Sequence, residues 1–113
     1  MANLTKAQLA NRVLERLGVK PASQAALAVD ALLVQEKVDA AHAELEKEGL
    51  APFATSAIPE WAQEGLEEYV AASVSEYFGR PTNKPLAQRA ARSRLATQIA
   101  GFNHNVPTQP DSF

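Results

Sequence analysis

The side chains that could do acid–base or metal chemistry in this sequence are two histidines, His42 and His104, and thirteen acids, eleven of which lie between residues 30 and 78. A metal site needs several such ligands converging at fixed spacing, and general acid–base catalysis needs a positioned pair. Neither histidine stands among acids at ligand spacing, and the glutamates fall in registers that an exposed helix face explains. With no cysteine in the chain, a disulfide framework and a thiolate metal site are both excluded. No glycine-rich phosphate loop and no nucleophile motif is present. The expectation is a protein that is not an enzyme, with no catalytic residue, no metal and no cofactor, and with both histidines at the surface. Trp61, Tyr69 and Tyr77 lie at or near helical spacing, so they read as core or interface rather than as a platform for stacked bases.

Charge is more informative than the candidate ligands. The net charge is only -2, but residues 1 to 29 carry +3, residues 30 to 78 carry -9, and residues 79 to 113 carry +4. An acidic middle between basic ends can pair within one fold or between neighbouring copies, and both options stay open at this point. The same charges bear on nucleic-acid binding. The first two helices could pass for a helix-turn-helix, but the second carries Asp30, Glu36 and Asp39 with Lys37 as its sole early base, the wrong sign for a groove lined by phosphates. Arg89, Arg92 and Arg94 on the last helix leave room for nonspecific contact.

The elements that carry these residues are helices. Thr5 and Gln8 have capping-box spacing, Leu4 and Leu9 suit a hydrophobic staple, and Leu9, Val13, Leu14 and Leu17 recur on one face until Gly18. This predicts a first helix over about 6–17. Ser23 is placed to cap a long second helix ending at Glu48 before Gly49, about 37 Å of it at ~1.5 Å per residue. Leu27, Ala31, Val34, Val38, Ala41 and Leu45 form its narrow seam, and Val29, Leu32 and Leu33 make its first half apolar on the other side as well, so that half should be covered twice. The uncharged stretch 49–58 holds Leu50, Phe53 and Ile58 and should fold back onto the core. Pro59 opens a third helix with a stripe from Ala62 to Phe78 that includes Tyr69 and Tyr77, ended by Gly79. Gly65 inside that helix suggests a close approach of another backbone. Pro85 opens a fourth helix to about Ala100, with Ala87, Ala91, Leu95 and Ile99 as its buried face.

These segments predict an all-α, compact bundle of about four helices with the long second helix as spine, a domain over 1–100 and an extended tail over 101–113. In the tail, Phe102, Val106 and Phe113 would give an extended arm apolar anchors. A chain of 113 residues buries a modest core, and subunit contacts would add to its stability. The opening MANLTKAQLANR lacks the apolar core of a signal peptide, and no stretch approaches the ~20 apolar residues of a membrane span, so an aqueous compartment and no membrane partner are expected.

With the helices in place, the opening TKAQLANRVLERLGV, the long second helix, the apolar loop, IPEWAQEGLEEYVAASVSEYFG, the alanine-rich last helix and the loose end resemble the head-to-tail connector (adaptor, or head-completion) proteins of tailed bacteriophages, in the group related to the HK97-type connector. The resemblance covers about residues 4 to 100 and rests on helix order, lengths and texture rather than on a signature motif. It implies a structural subunit of the virion neck, made in the bacterial host cytoplasm. Copies would form a ring, commonly a dodecamer, beneath the portal protein. Such a ring extends the DNA channel, helps retain packaged DNA without sequence-specific contacts, and provides the platform for a stopper or tail-completion protein. The C-terminal segment would reach the portal. In a cyclic ring one face of a subunit meets a different face of the next, which suits segregated charge. Glu36, Asp39, Glu64 and Glu68 are therefore expected to face Arg89, Arg92 and Arg94 of a neighbour. The alternatives are a small helical DNA-binding regulator and a structural protein of another assembly.

Overall fold

A computed structural model describes residues 3–19, 27–80 and 82–105, with side chains as far as Gly101. Four α-helices follow one another, α1 (Lys6–Arg16), α2 (Ala28–Lys47), α3 (Glu60–Val74) and α4 (Lys84–Asn105), with a 3-10 turn over Ser75–Phe78 after α3. Among the described residues there is no β-strand, only one isolated antiparallel bridge between Leu4 and Ile58. The bundle is all-α, as the periodicity requires.

Local chemistry explains where the helices start and stop. At α1 both halves of the capping box form: the Gln8 amide donates to Thr5 Oγ1 at 3.2 Å, and the Thr5 amide donates to Gln8 Oε1 at 2.9 Å. Gly18 and Gly49 end α1 and α2 in left-handed backbone, with φ of 74° and 77°. Each lets the next amide reach back, Val19 to the Leu14 carbonyl and Leu50 to the Leu45 carbonyl, both at 2.9 Å, so orphan carbonyls at the helix ends gain donors. At α4 the Asn83 side chain takes the amide of Leu86 at 3.2 Å.

Three boundaries differ from expectation. Leu27 is extended (ψ 142°) and α2 begins only at Ala28, giving 20 residues, or ~30 Å rather than 37 Å; Ser23, the expected cap, lies outside the described residues. The α-helical part of the third helix stops at Val74, because the chain tightens into the 3-10 turn and its side chains change register. Tyr77 consequently leaves the apolar stripe and is 61% exposed, with the Lys37 ammonium 5.4 Å from its ring centre. The fourth helix continues through Gly101 to Asn105, so the helical unit passes the expected limit at residue 100; a single glycine costs a helix only ~1 kcal/mol and does not by itself end it.

One core joins the elements. Leu9, Val13 and Leu14 of α1, Val34, Val38 and Leu45 of α2, Leu66, Val70 and Val74 of α3, and Ala91 and Leu95 of α4 are buried in it. Although α2 is long, α3 is the helix enclosed by the others: it packs on α1, α2 and α4 and buries even Gln63 and Glu67. The connection after α2 folds back as expected, with Ala51 and Ile58 fully buried and Leu50 and Phe53 packed against the core. Two hydrogen bonds between Leu4 and Ile58, at 3.0 and 2.7 Å, tie its end to the segment before α1.

His42 differs from the expected surface histidine. It is half-buried, its Nε2 rests against the Phe53 carbonyl oxygen, and its ring lies 5.4 Å from the Phe53 ring, which meets Trp61 edge-on at 5.7 Å. A carbonyl accepts only, so Nε2 carries the proton in this contact. His42 thus latches the loop to α2. The backbone of His104 lies in α4.

Candidate interaction surfaces

Helix α3 presents Glu64, Glu67 and Glu68 toward the arginines of its neighbours. Glu67 is buried between Arg12 and Arg16 of α1, with Nε of Arg12 3.0 Å from Oε1 and a terminal nitrogen of Arg16 2.8 Å from Oε2. Only the Arg16 contact has hydrogen-bond geometry; Arg12 meets Oε1 as a charge and donates instead to Gln63 Oε1 at 3.2 Å. Arg16 also lies 3.4 Å from both Glu64 and Glu68. Burial opposes the charge on Arg16, but its hydrogen bond to Glu67 and the surrounding carboxylates hold its pKa above the ordinary value. On the other side, Arg94 of α4 forms a two-pronged pair with Glu68, both bonds 3.1 Å.

A second cluster clamps α4 to the end of α2. Arg92 donates to both oxygens of Glu48, at 2.7 and 3.1 Å, donates to the Tyr69 hydroxyl at 3.2 Å, and lies 5.1 Å from the Tyr69 ring centre. The hydrogen bond from Arg92 holds the Glu48 carboxyl below its ordinary pKa. Lys6 and Asp39 close a further pair at 2.9 Å between α1 and α2.

The residues expected to meet across a subunit boundary therefore divide. Asp39, Glu64, Glu68, Arg92 and Arg94 are engaged inside their own chain. Glu36 and Arg89 are exposed and have no ion pair among the described residues. Of the expected portal-binding residues, Phe102 is in the backbone of α4, while Val106 and Phe113 lie outside the described residues.

Two further features were not expected. A groove of about 460 Å³ opens between α1, α3 and α4, floored by small residues that include Ala71, Ala72, Ala87 and Ala90, with Arg80 and Arg94 among its charged residues. Arg80 is fixed in place by donating to the carbonyls of Leu17 at 2.9 Å and Phe78 at 3.1 Å. The sequence signal for the groove was the alanine content of α4, which demands close packing but does not say on which side space remains. The second feature is the first half of α2, expected to be covered on both faces. Leu27 and Val29 are 70% exposed and Leu32 is 60% exposed. Among the described residues no helix covers that outer side.

No protein-family model, curated protein or solved structure matches this chain significantly. The surfaces themselves must carry the functional reading. Among the described residues no helix is long and apolar enough to cross a membrane, and no three histidines or acids cluster as metal ligands.

Proposed function

We propose that this chain is a structural subunit of a tailed-phage neck. In this reading copies form a ring beneath the portal, extend the DNA channel, help retain packaged DNA and provide the attachment platform for the tail. The resemblance in helix order and lengths supports the phage assignment. The observation that carries the assembly part is the open apolar side of α2, where Val29 and Leu32, one turn apart, both stand in solvent. Single exposed leucines are ordinary, but a cluster of large aliphatics on one helix marks a surface used by another protein. The arginines of α4 also fit structural better than regulatory use. Two of the three are committed to Glu48 and Glu68, which removes them from any row of phosphate contacts.

The test is reconstitution with the portal protein of the same phage. Electron microscopy of the mixture is expected to show a ring of this chain at the narrow end of the portal. Particles made without the gene are expected to fill their heads but lose DNA and remain tailless. Portal rings left bare, together with normal tailed particles in the absence of the gene, would sink the reading. A salt-dependent shift of duplex DNA by the purified chain would favour the regulator instead.

A further inference from the structure

We propose that the outer face of the first half of α2 docks into the alanine-floored groove of a second copy of this chain, so that successive copies join head to tail. The inference rests on the assembly reading above and names the surfaces that perform it. Val29, Leu32, Leu33 and Glu36 fall at helical positions i, i+3, i+4 and i+7, opposite the seam buried by Val34, Val38, Ala41 and Leu45. They form a projecting aliphatic ridge with a carboxylate one turn beyond it.

The groove has the reciprocal character. Its floor of alanines leaves room for side chains supplied from outside, and a volume of about 460 Å³ is within the range of natural binding pockets. No residue of α2 lines it, so ridge and groove belong to different faces of the molecule. Two unlike faces that fit each other generate a ring or a filament rather than a closed two-fold dimer.

Charge fixes the occupant as a second copy. Glu36, one turn beyond the ridge, has no ion pair among the described residues, and neither has Arg80 in the groove. An acid left unneutralised at the ridge thus matches a base left unneutralised in the groove. Arg80 is held by main-chain carbonyls rather than by a carboxylate, which leaves a partner's carboxylate as its counter-charge.

The absence of native cysteine allows a direct test on the full chain. Leu32→Cys and Ala90→Cys both replace exposed residues, and circular dichroism is expected to show unchanged helix for each. Under mild oxidation, mixing the two variants should give a covalent one-to-one dimer at least roughly tenfold faster than either alone, and the double variant should give a ladder of oligomers. Glu36→Arg on the Leu32→Cys partner should slow that cross-link roughly tenfold, with the difference fading as salt rises. Cross-linking of Leu32→Cys with itself as fast as in the mixture would mean that two ridges meet, and would overturn the proposal. Failure of the mixture to cross-link would overturn it as well. Portal binding that persists in that case would leave the neck assignment standing and remove this contact alone.

Discussion

At Gly65 the space for a side chain is already occupied. A Cβ there would lie 2.7 Å from Leu95 Cγ and 2.9 Å from its Cδ2, inside van der Waals contact with a side chain that is itself fully buried. Glycine normally weakens a helix interior by ~1 kcal/mol, so Gly65→Ala would ordinarily stabilise. Here overpacking, typically about 1–3 kcal/mol, outweighs that gain, and urea unfolding is expected to show a net loss of about 1 kcal/mol. Leu95→Ala alone should cost about 2–5 kcal/mol, and combining the two should cost less than their sum. Additive losses would mean that the two residues do not compete for the same space. Glu48 gives a second residue-scale prediction. Its folded pKa is depressed by the hydrogen bond from Arg92, so the stability it contributes is present above its ordinary value of 4.5 and is lost as pH falls through the lower folded value. Thermal melts of wild type and Glu48→Gln should therefore differ at neutral pH and converge in acid. A difference that grows in acid would contradict the pairing.

The fourth helix is the element most dependent on polar clamps. Its buried positions include Ala91 beside a single leucine, Leu95, so burial alone holds it weakly. Arg92 on Glu48 and Tyr69, Arg94 on Glu68, and Gln88 donating to Ser73 Oγ at 2.9 Å bind it to α2 and α3. Arg92→Ala is expected to cost about 1–2 kcal/mol, since it removes a two-pronged ion pair and a ring contact that are partly screened by solvent. Hydrogen exchange should accelerate in α4 before it does in α1, as expected of a helix released as a unit. Arg89→Ala should stay within about 0.5 kcal/mol of wild type, because an exposed side chain with no ion pair among the described residues has little to lose. Equal losses at the two positions would refute this division of labour. The loop after α2 is held in a similar way, and His42→Ala should loosen residues 50–58 at a cost of about 1 kcal/mol by removing the donor to Phe53.

For the whole molecule, the division between engaged and free charges separates folding from assembly. Reversal at Arg92 or Arg94 sets a carboxylate against Glu48 or Glu68 and should lower the melting temperature of the monomer before any effect on assembly is seen. Reversal at Arg89 should leave the melting temperature unchanged and weaken oligomers in sedimentation at low salt, with the difference fading as salt rises. Oligomers indifferent to Arg89→Glu would remove that residue from the interface. Deleting residues 106–113 spares all four helices and should preserve the circular dichroism spectrum while abolishing portal docking. Undiminished docking by the shortened chain would exclude those residues as the anchor.

What the amino-acid order settled by itself is local. The spacing of Thr5 and Gln8, the glycines at 18 and 49, and the steps of three and four in Val34, Val38, Ala41 and Leu45 determine helices, ends and buried faces, because capping and periodicity depend on residues within a turn or two of each other. The pairing of opposite charges is a different kind of fact. The acids of α3 and the arginines of α1 and α4 are separated by up to 55 positions, and composition permits them to meet within a chain or between chains. Only the packing of α3 among its neighbours placed Glu67 between Arg12 and Arg16, and left Glu36 and Arg89 without an ion pair among the described residues. The alanine floor of the groove and the bare ridge of α2 likewise arise from where helices come together and where one extends without cover, and that depends on the three-dimensional path of the whole chain.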